Sequence, residues 1–247
     1  MSKVHPGQVP MTLNRRRPPL GLLTVLVGAL SLSGPSWGLD QAPPVVVELF
    51  QSQGCSSCPP ANANVKAIAD RPGVLALSYG VTYWDYLGWK DTFAKPQYTA
   101  RQRDYARSLG HTNVHTPQVI INGRRELIGN DSRQLDGAIR STGALNGPSI
   151  AVRAGRVEVG AGRAPAGAAT VWLVRYDPRV RAVPIRRGEN GGRTLPHKNI
   201  VVEMTALGRW DGRAAHYDLP AAQDRALATA ILIQTGKTGP ILAAARG

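Results

Sequence analysis

The two cysteines of this chain stand as Cys55-Ser56-Ser57-Cys58, directly after an apolar run, Val45-Val46-Val47-Glu48-Leu49-Phe50, and directly before a stretch of helical periodicity. That placement constrains the chain more than any other feature. A strand that delivers two cysteines to the start of a helix puts a thiol among free backbone N–H groups, where negative charge is favoured. The thiolate is the reactive form of cysteine. Sulfurs three residues apart lie about one helical turn from each other, close enough to close a small disulfide.

The pattern on either side predicts the elements. Residues 45–50 read as a strand, and Gly54 lets the backbone bend into the cysteines. Pro59-Pro60 fit a first helical turn, where a missing N–H does no harm. Val65, Ile68 and Ala69 give that helix an apolar face. A second strand is expected over 74–81, a helix over 97–109, a hairpin turning at Asn122-Gly123 and a last helix over 131–143. Strand, helix, strand, helix, hairpin, helix is the order of a thioredoxin, and a C-x-x-C before the first helix is how such a redox site is built. The predicted fold is therefore an α/β thioredoxin-like domain over 39–147. From 148 to 247 short apolar runs separated by Gly, Pro and Asp-Gly turns predict eight strands and no cysteine, an all-β, antiparallel, sandwich-like C-terminal domain.

Residues 1–38 read as a signal peptide. Arg15-Arg16-Arg17 precede a 13-residue apolar stretch from Leu20 to Leu32, and Ser36-Trp37-Gly38 offers small residues for cleavage. The stretch is shorter than the ~20 residues a bilayer span needs, so no stable membrane anchor is expected after cleavage, and the expected location is periplasmic or secreted. Such a compartment permits a disulfide. The formal charge is +14, and residues 1–38 hold four of the 30 basic residues and no acid, leaving +10 on the remainder. The arginines are scattered, with no basic helix and no interleaved aromatics, so a solvated basic surface is expected rather than a nucleic-acid site.

Glu48-Leu-Phe-Gln-Ser-Gln-Gly-Cys-Ser-Ser-Cys-Pro-Pro60, Tyr83-Trp-Asp-Tyr-Leu-Gly-Trp-Lys-Asp91, Thr116-Pro-Gln118 and Asn122-Gly123 together resemble a bacterial family of secreted thioredoxin-like proteins, the domain of unknown function 1223. The resemblance runs from about Val45 to the C-terminus. It implies a thioredoxin fold followed by a β-rich part, and no established activity. Members of that family carry His and Asp shortly before the Tyr-Trp-Asp run, where this chain has Gly80 and Thr82. Where a Tyr often precedes Thr-Pro, it has His115.

Five residues are the expected catalytic set. Cys55 is expected to be an exposed attacking thiol and Cys58 the resolving thiol, because the second sulfur frees the protein from a stalled mixed disulfide. Pro117 is expected to be cis and to face the cysteines, with the Thr116 backbone free to pair with an extended substrate segment. Glu48 is read either as a partly buried proton acceptor for Cys58 or as an outward strand residue paired with an Arg. His111 and His115 could tune the thiolate, and Cys55, Cys58 and His115 form a less favoured metal set. The aromatic segment 83–98 is either a lid or groove for substrate, or a packing insert in the interdomain seam. The expected activity is an exported thiol–disulfide oxidoreductase without cofactor, its partners cysteine-containing proteins or a redox partner domain. The alternatives are a copper-handling protein and an interaction module with a structural disulfide.

Overall fold

The computed structural model describes Gly7 and residues 43–247. The expected signal peptide, 1–38, lies outside the described residues but for Gly7. Residues 43–247 form one compact unit.

Val45–Gln51 (β1) is buried over six of its seven residues and lies mid-sheet. It pairs in parallel with Val74–Gly80 (β2), from Val45 opposite Val74 to Gln51 opposite Gly80. Its other edge takes Gln118–Ile121 (β3) antiparallel, and Arg125–Leu127 (β4) follows as a hairpin. The hairpin turns at Asn122 and Gly123, with φ of 49° and 64°, the left-handed region that Asn and Gly tolerate. Cys58–Ile68 (α1) connects β1 to β2, with Pro59 and Pro60 in its first turn. Pro96–Ser108 (α2) and Ser132–Thr142 (α3) complete the helices. Asp131 caps α3, its carboxylate accepting from the backbone N–H of Arg133 and Gln134.

The remaining strands are Ile150–Arg153 (β5), Arg156–Val159 (β6), Ala169–Asp177 (β7), Arg181–Pro184 (β8), Thr194–His197 (β9), Ile200–Trp210 (β10), Ala215–Asp218 (β11), Ala228–Thr235 (β12) and Ile241–Arg246 (β13). They overturn the expected α/β thioredoxin-like domain followed by an antiparallel, sandwich-like β domain. One mixed eight-stranded sheet runs β13-β12-β7-β10-β2-β1-β3-β4 through both regions. The protein is mostly β, with three α-helices among the described residues. The join is short and polar. Ile200 of β10 pairs in parallel with Ser78 of β2. The Ser78 N–H donates to Asn199 O at 2.9 Å, and the Asn199 amide donates to Ala76 O at 2.8 Å. All seven residues of β2 are buried, as a strand with neighbours on both edges requires.

The sheet curls, so β13 returns to the β3–β4 turn, where the Ile241 N–H donates to Asn122 O at 2.9 Å. One face carries α2 and a shared core of Val46, Phe50, Leu77, Tyr79, Tyr98, Tyr105, Val174 and Leu232. On the other face, α1 and α3 cover β1, β2 and β3 through Leu49, Val65, Ala76 and Leu135. Farther along, a three-stranded sheet, β11-β6-β5, covers β7 and β12 through Val157, Val171, Trp210 and Ile233. β8 and β9 pair only with each other. Among the described residues no helix is long and apolar enough to cross a membrane.

Candidate functional site

The chain leaves β1 at Gln51 and bends through Gly54 to place Cys55 just before α1. Both cysteines are free thiols and both are buried, Cys55 at 0% exposure and Cys58 at 1%. Cys55 is therefore not the exposed thiol expected of it. The Cys58 thiol donates to the Cys55 sulfur at 2.6 Å. The Ser57 hydroxyl lies 3.2 Å from the same sulfur.

These contacts separate the two thiols. The hydrogen bond from Cys58 brings Cys55 down to about 6. Burial opposes that, and Ser57 and Thr116 add to it. Burial, and then the neighbouring Cys55 sulfur, push Cys58 far above the usual thiol range. The two thiols are thus driven in opposite directions, Cys55 toward the thiolate and Cys58 toward the protonated form.

Thr116 and Pro117 arrive at the cysteines from the start of β3, and their peptide bond is cis, as expected. The Thr116 carbonyl accepts from Ser57 Oγ at 3.3 Å and faces Cys55 Sγ at 3.8 Å. The carbonyl proposed for substrate is thus already engaged. Trp84 Nε1 donates to Thr116 Oγ1 at 2.7 Å.

The aromatic segment does more than fill space. Trp89 Nε1 donates to Gln53 Oε1 at 2.9 Å, and the Gln53 N–H donates to Asp91 Oδ2 at 2.7 Å. Asp91 is buried, and burial pushes its carboxyl up to about 6 against the backbone N–H groups of Gln53 and Phe93. Trp89 and Asp91 therefore fix the turn that carries Cys55, and Trp84 holds Thr116 beside it. Tyr98 is a core residue on α2, and Tyr86 is exposed.

Glu48 lies on the face of β1 that meets α2, fully buried. Its carboxylate accepts from Arg101 Nε at 2.9 Å and Nη2 at 3.1 Å, and from the Tyr105 hydroxyl. Gln234 of β12 closes the group, accepting from Arg101 at 2.9 Å and donating to Tyr105 at 2.8 Å. The structure places Glu48 with an Arg, not with a cysteine, and buried rather than outward.

The metal set is not assembled. His115 Nε2 lies 2.8 Å from Glu126 Oε1, and His111 Nε2 lies 2.6 Å from Glu126 Oε2. Burial pushes the Glu126 carboxyl up, but hydrogen bonds from Gln118 and His115 outweigh it and hold it below its usual value. Among the described residues no group of three His, Cys, Asp or Glu is placed to hold a metal ion.

Three further residues at the site come from the β8–β9 hairpin. Glu189 accepts from the Ser56 N–H at 2.9 Å and from Ser56 Oγ at 2.7 Å. The Asn190 amide donates to Gln53 O at 3.0 Å and to Cys55 O at 2.8 Å. His197, 1% exposed, sets Nδ1 3.3 Å from Gln51 Nε2 and 3.4 Å from Asn62 Nδ2, one turn along α1 from Cys58. Burial brings His197 down to about 4. The sequence carried no sign of these residues, because they lie more than 130 positions from the cysteines and β9, Thr194-Leu-Pro-His197, is short and contains Pro196, a residue that argues against a strand. Gly80, at the end of β2, has no room for a side chain. A Cβ there would meet Phe93 C and Ala94 N at 2.8 Å.

No curated protein matches the chain. Among solved structures, a crystal structure of an Agrobacterium tumefaciens protein from a structural genomics programme is 36% identical, with a TM-score of 0.68 over 83% of this chain and 94% of that one. HBP35 of Porphyromonas gingivalis shares the fold at a TM-score of 0.54 and 12% identity, over 83% of this chain and 75% of that one. The family described as "Protein of unknown function (DUF1223)" matches residues 46–234. This chain belongs to that family.

Proposed function

We propose that this protein is an exported thiol–disulfide oxidoreductase acting through Cys55 and Cys58 on protein thiols. The observation that carries the reading is a pair of free, buried sulfurs 2.6 Å apart at the N-terminus of α1, beside the carbonyl of the cis Thr116-Pro117 bond. The lowered Cys55 and the raised Cys58 fit that arrangement. The leader-like pattern of residues 1–38 supports export.

In the oxidising half-reaction, the Cys55 thiolate attacks one sulfur of a partner disulfide. The partner's other sulfur leaves as a thiolate and takes up a proton. Cys58 then gives up its proton to solvent and attacks the Cys55 sulfur, breaking the mixed disulfide and releasing the second partner thiolate. Two electrons pass from the cysteine pair to the partner, and a Cys55–Cys58 disulfide remains. The reverse sequence oxidises a partner dithiol. Ser57 and the Thr116 carbonyl orient the pair, and Gln53, Trp89 and Asp91 hold its turn.

The test is the redox equilibrium of the full chain against reduced and oxidised glutathione, read by mass after trapping the thiols. A Cys55–Cys58 pair that exchanges and settles at a defined potential is the expected result. A pair that stays in one state across the whole titration overturns the reading.

A further inference from the structure

Attack at Cys55 requires a partner sulfur to reach it, yet Cys55 has no exposure. Residues 186–192, the tip of the β8–β9 hairpin, pack on the turn that carries it. Gly188 packs over the cysteine turn, since a Cβ on it would lie 3.8 Å from Gly54 Cα and 3.5 Å from Trp89 Cβ. Glu189 and Asn190 then make four hydrogen bonds to Gln53, Cys55 and Ser56.

We propose that residues 186–192 form a gate over Cys55, latched by Glu189 on Ser56, which a partner must displace before exchange.

Three features fit a moving part. First, β8 and β9 pair only with each other, so the tip can swing without breaking a ladder of the main sheet. Second, the loop is closed on itself. The Ile185 N–H donates to Arg193 O at 2.8 Å, Gly191 N–H donates to Gly188 O at 3.0 Å, and Arg193 Nη1 donates to Asn190 Oδ1 at 2.7 Å. It can therefore move as a unit, and its opening must also break the two buried bonds of Asn190 to Gln53 O and Cys55 O. Third, the latch is made in water. Glu189 and Ser56 are both exposed, and a charge-assisted bond there exchanges readily for bonds to solvent. The base of the hairpin is fixed by contrast, with Asn62 Nδ2 donating to Pro196 O at 2.8 Å and His197 buried. Hinge and latch thus sit at opposite ends of one hairpin.

The gate rests on Cys55 as the reacting thiol, and its test separates the two ideas. The reduced full chain is alkylated with iodoacetamide and with a bulky polyethylene-glycol maleimide at pH 8. With Cys55 brought down to about 6, pH 8 lies on the plateau of its ionisation, and a rate measured at pH 9 as well controls for a change in it. Peptide mapping assigns the modified sulfur. Glu189→Ala is expected to raise the Cys55 rate about threefold, the scale on which losing an exposed charge-assisted contact shifts an opening equilibrium, with Ser56→Ala raising it less. Equal Cys55 rates in the wild type and both variants overturn the gate and leave the glutathione equilibrium as it was. Faster alkylation of a pair that glutathione never exchanges upholds the gate and overturns the redox reading alone.

Discussion

The side-chain amide of Asn190 donates to the carbonyl of Cys55 at 2.8 Å across 135 positions of sequence. A second proton of the same amide meets Gln53 O at 3.0 Å, and the side chain is completely buried. The C-terminal region is thereby part of the cysteine site. Replacing Asn190 with Ala leaves two carbonyls short of a donor, which costs on the order of 2 kcal/mol. Urea unfolding of the reduced protein is expected to show that loss, with Cys55 also alkylated faster than in the wild type.

The Cys55 alkylation rate should rise with pH through a midpoint near 6, its thiol pKa in the folded protein. Cys58→Ala removes the largest lowering influence and should move the midpoint upward. The reduced fold should also gain stability between pH 6 and 9 from this group, because the unfolded thiol still binds a proton there and the folded one does not. A midpoint unmoved by Cys58→Ala would refute the assignment of the thiol contact as its cause.

Glu48 and Arg101 form an ion pair with 0% and 6% of their side chains exposed. Breaking a buried pair from one side costs about 3–5 kcal/mol, so Glu48→Gln and Arg101→Met should each lower stability by that order in a denaturant titration. Neither should move the Cys55 alkylation midpoint, because the carboxylate bonds Arg101 and Tyr105 and no sulfur. A shifted midpoint in Glu48→Gln would restore a role in thiol ionisation.

His197 and Asp91 make opposite contributions to the pH dependence of stability. His197 sits at about 4, so stability is lost as pH falls from 6.5 to 4, where the unfolded imidazole protonates and the folded one does not. Asp91 sits at about 6, so stability is lost as pH rises from 3.8 to 6, where the unfolded carboxyl ionises first. Each is on the order of 3 kcal/mol across its window, and from pH 4 to 6 they largely offset. The slope should separate them. In urea titrations at pH 4, 5 and 6, His197→Gln should become less stable with rising pH and Asp91→Asn less stable with falling pH.

Gly80→Ala sets a methyl against the backbone of Phe93 and Ala94 at 2.8 Å. The cost should be on the order of 1–3 kcal/mol, read as a lowered unfolding midpoint. A neutral result would mean that the 93–94 segment shifts freely.

Much of the local structure was legible because local structure is what periodicity reports. The strand at β1, the helix after the cysteines, the Asn122-Gly123 turn and most later strands each fall where alternation, prolines and turn residues predict them. The error lay in pairing. An apolar strand such as β2 announces that both its edges are covered but not by what, and the neighbour is Ile200, 122 positions away. Two regions with different local patterns therefore read as two domains, although one sheet runs through both.

The sequence by itself determined that two cysteines stand at a strand-to-helix junction, that Thr116-Pro117 opens a strand, and to which family the chain belongs. Each of these is carried by residues adjacent along the backbone. The tertiary structure alone decided that Cys55 is covered, that Glu48 belongs to Arg101, and that Glu189, Asn190 and His197 lie at the cysteine end of α1. Those facts depend on burial and on hydrogen bonds between distant segments. A desolvated polar group takes whichever partner the packed chain brings within reach, and that choice is made only when the sheet closes.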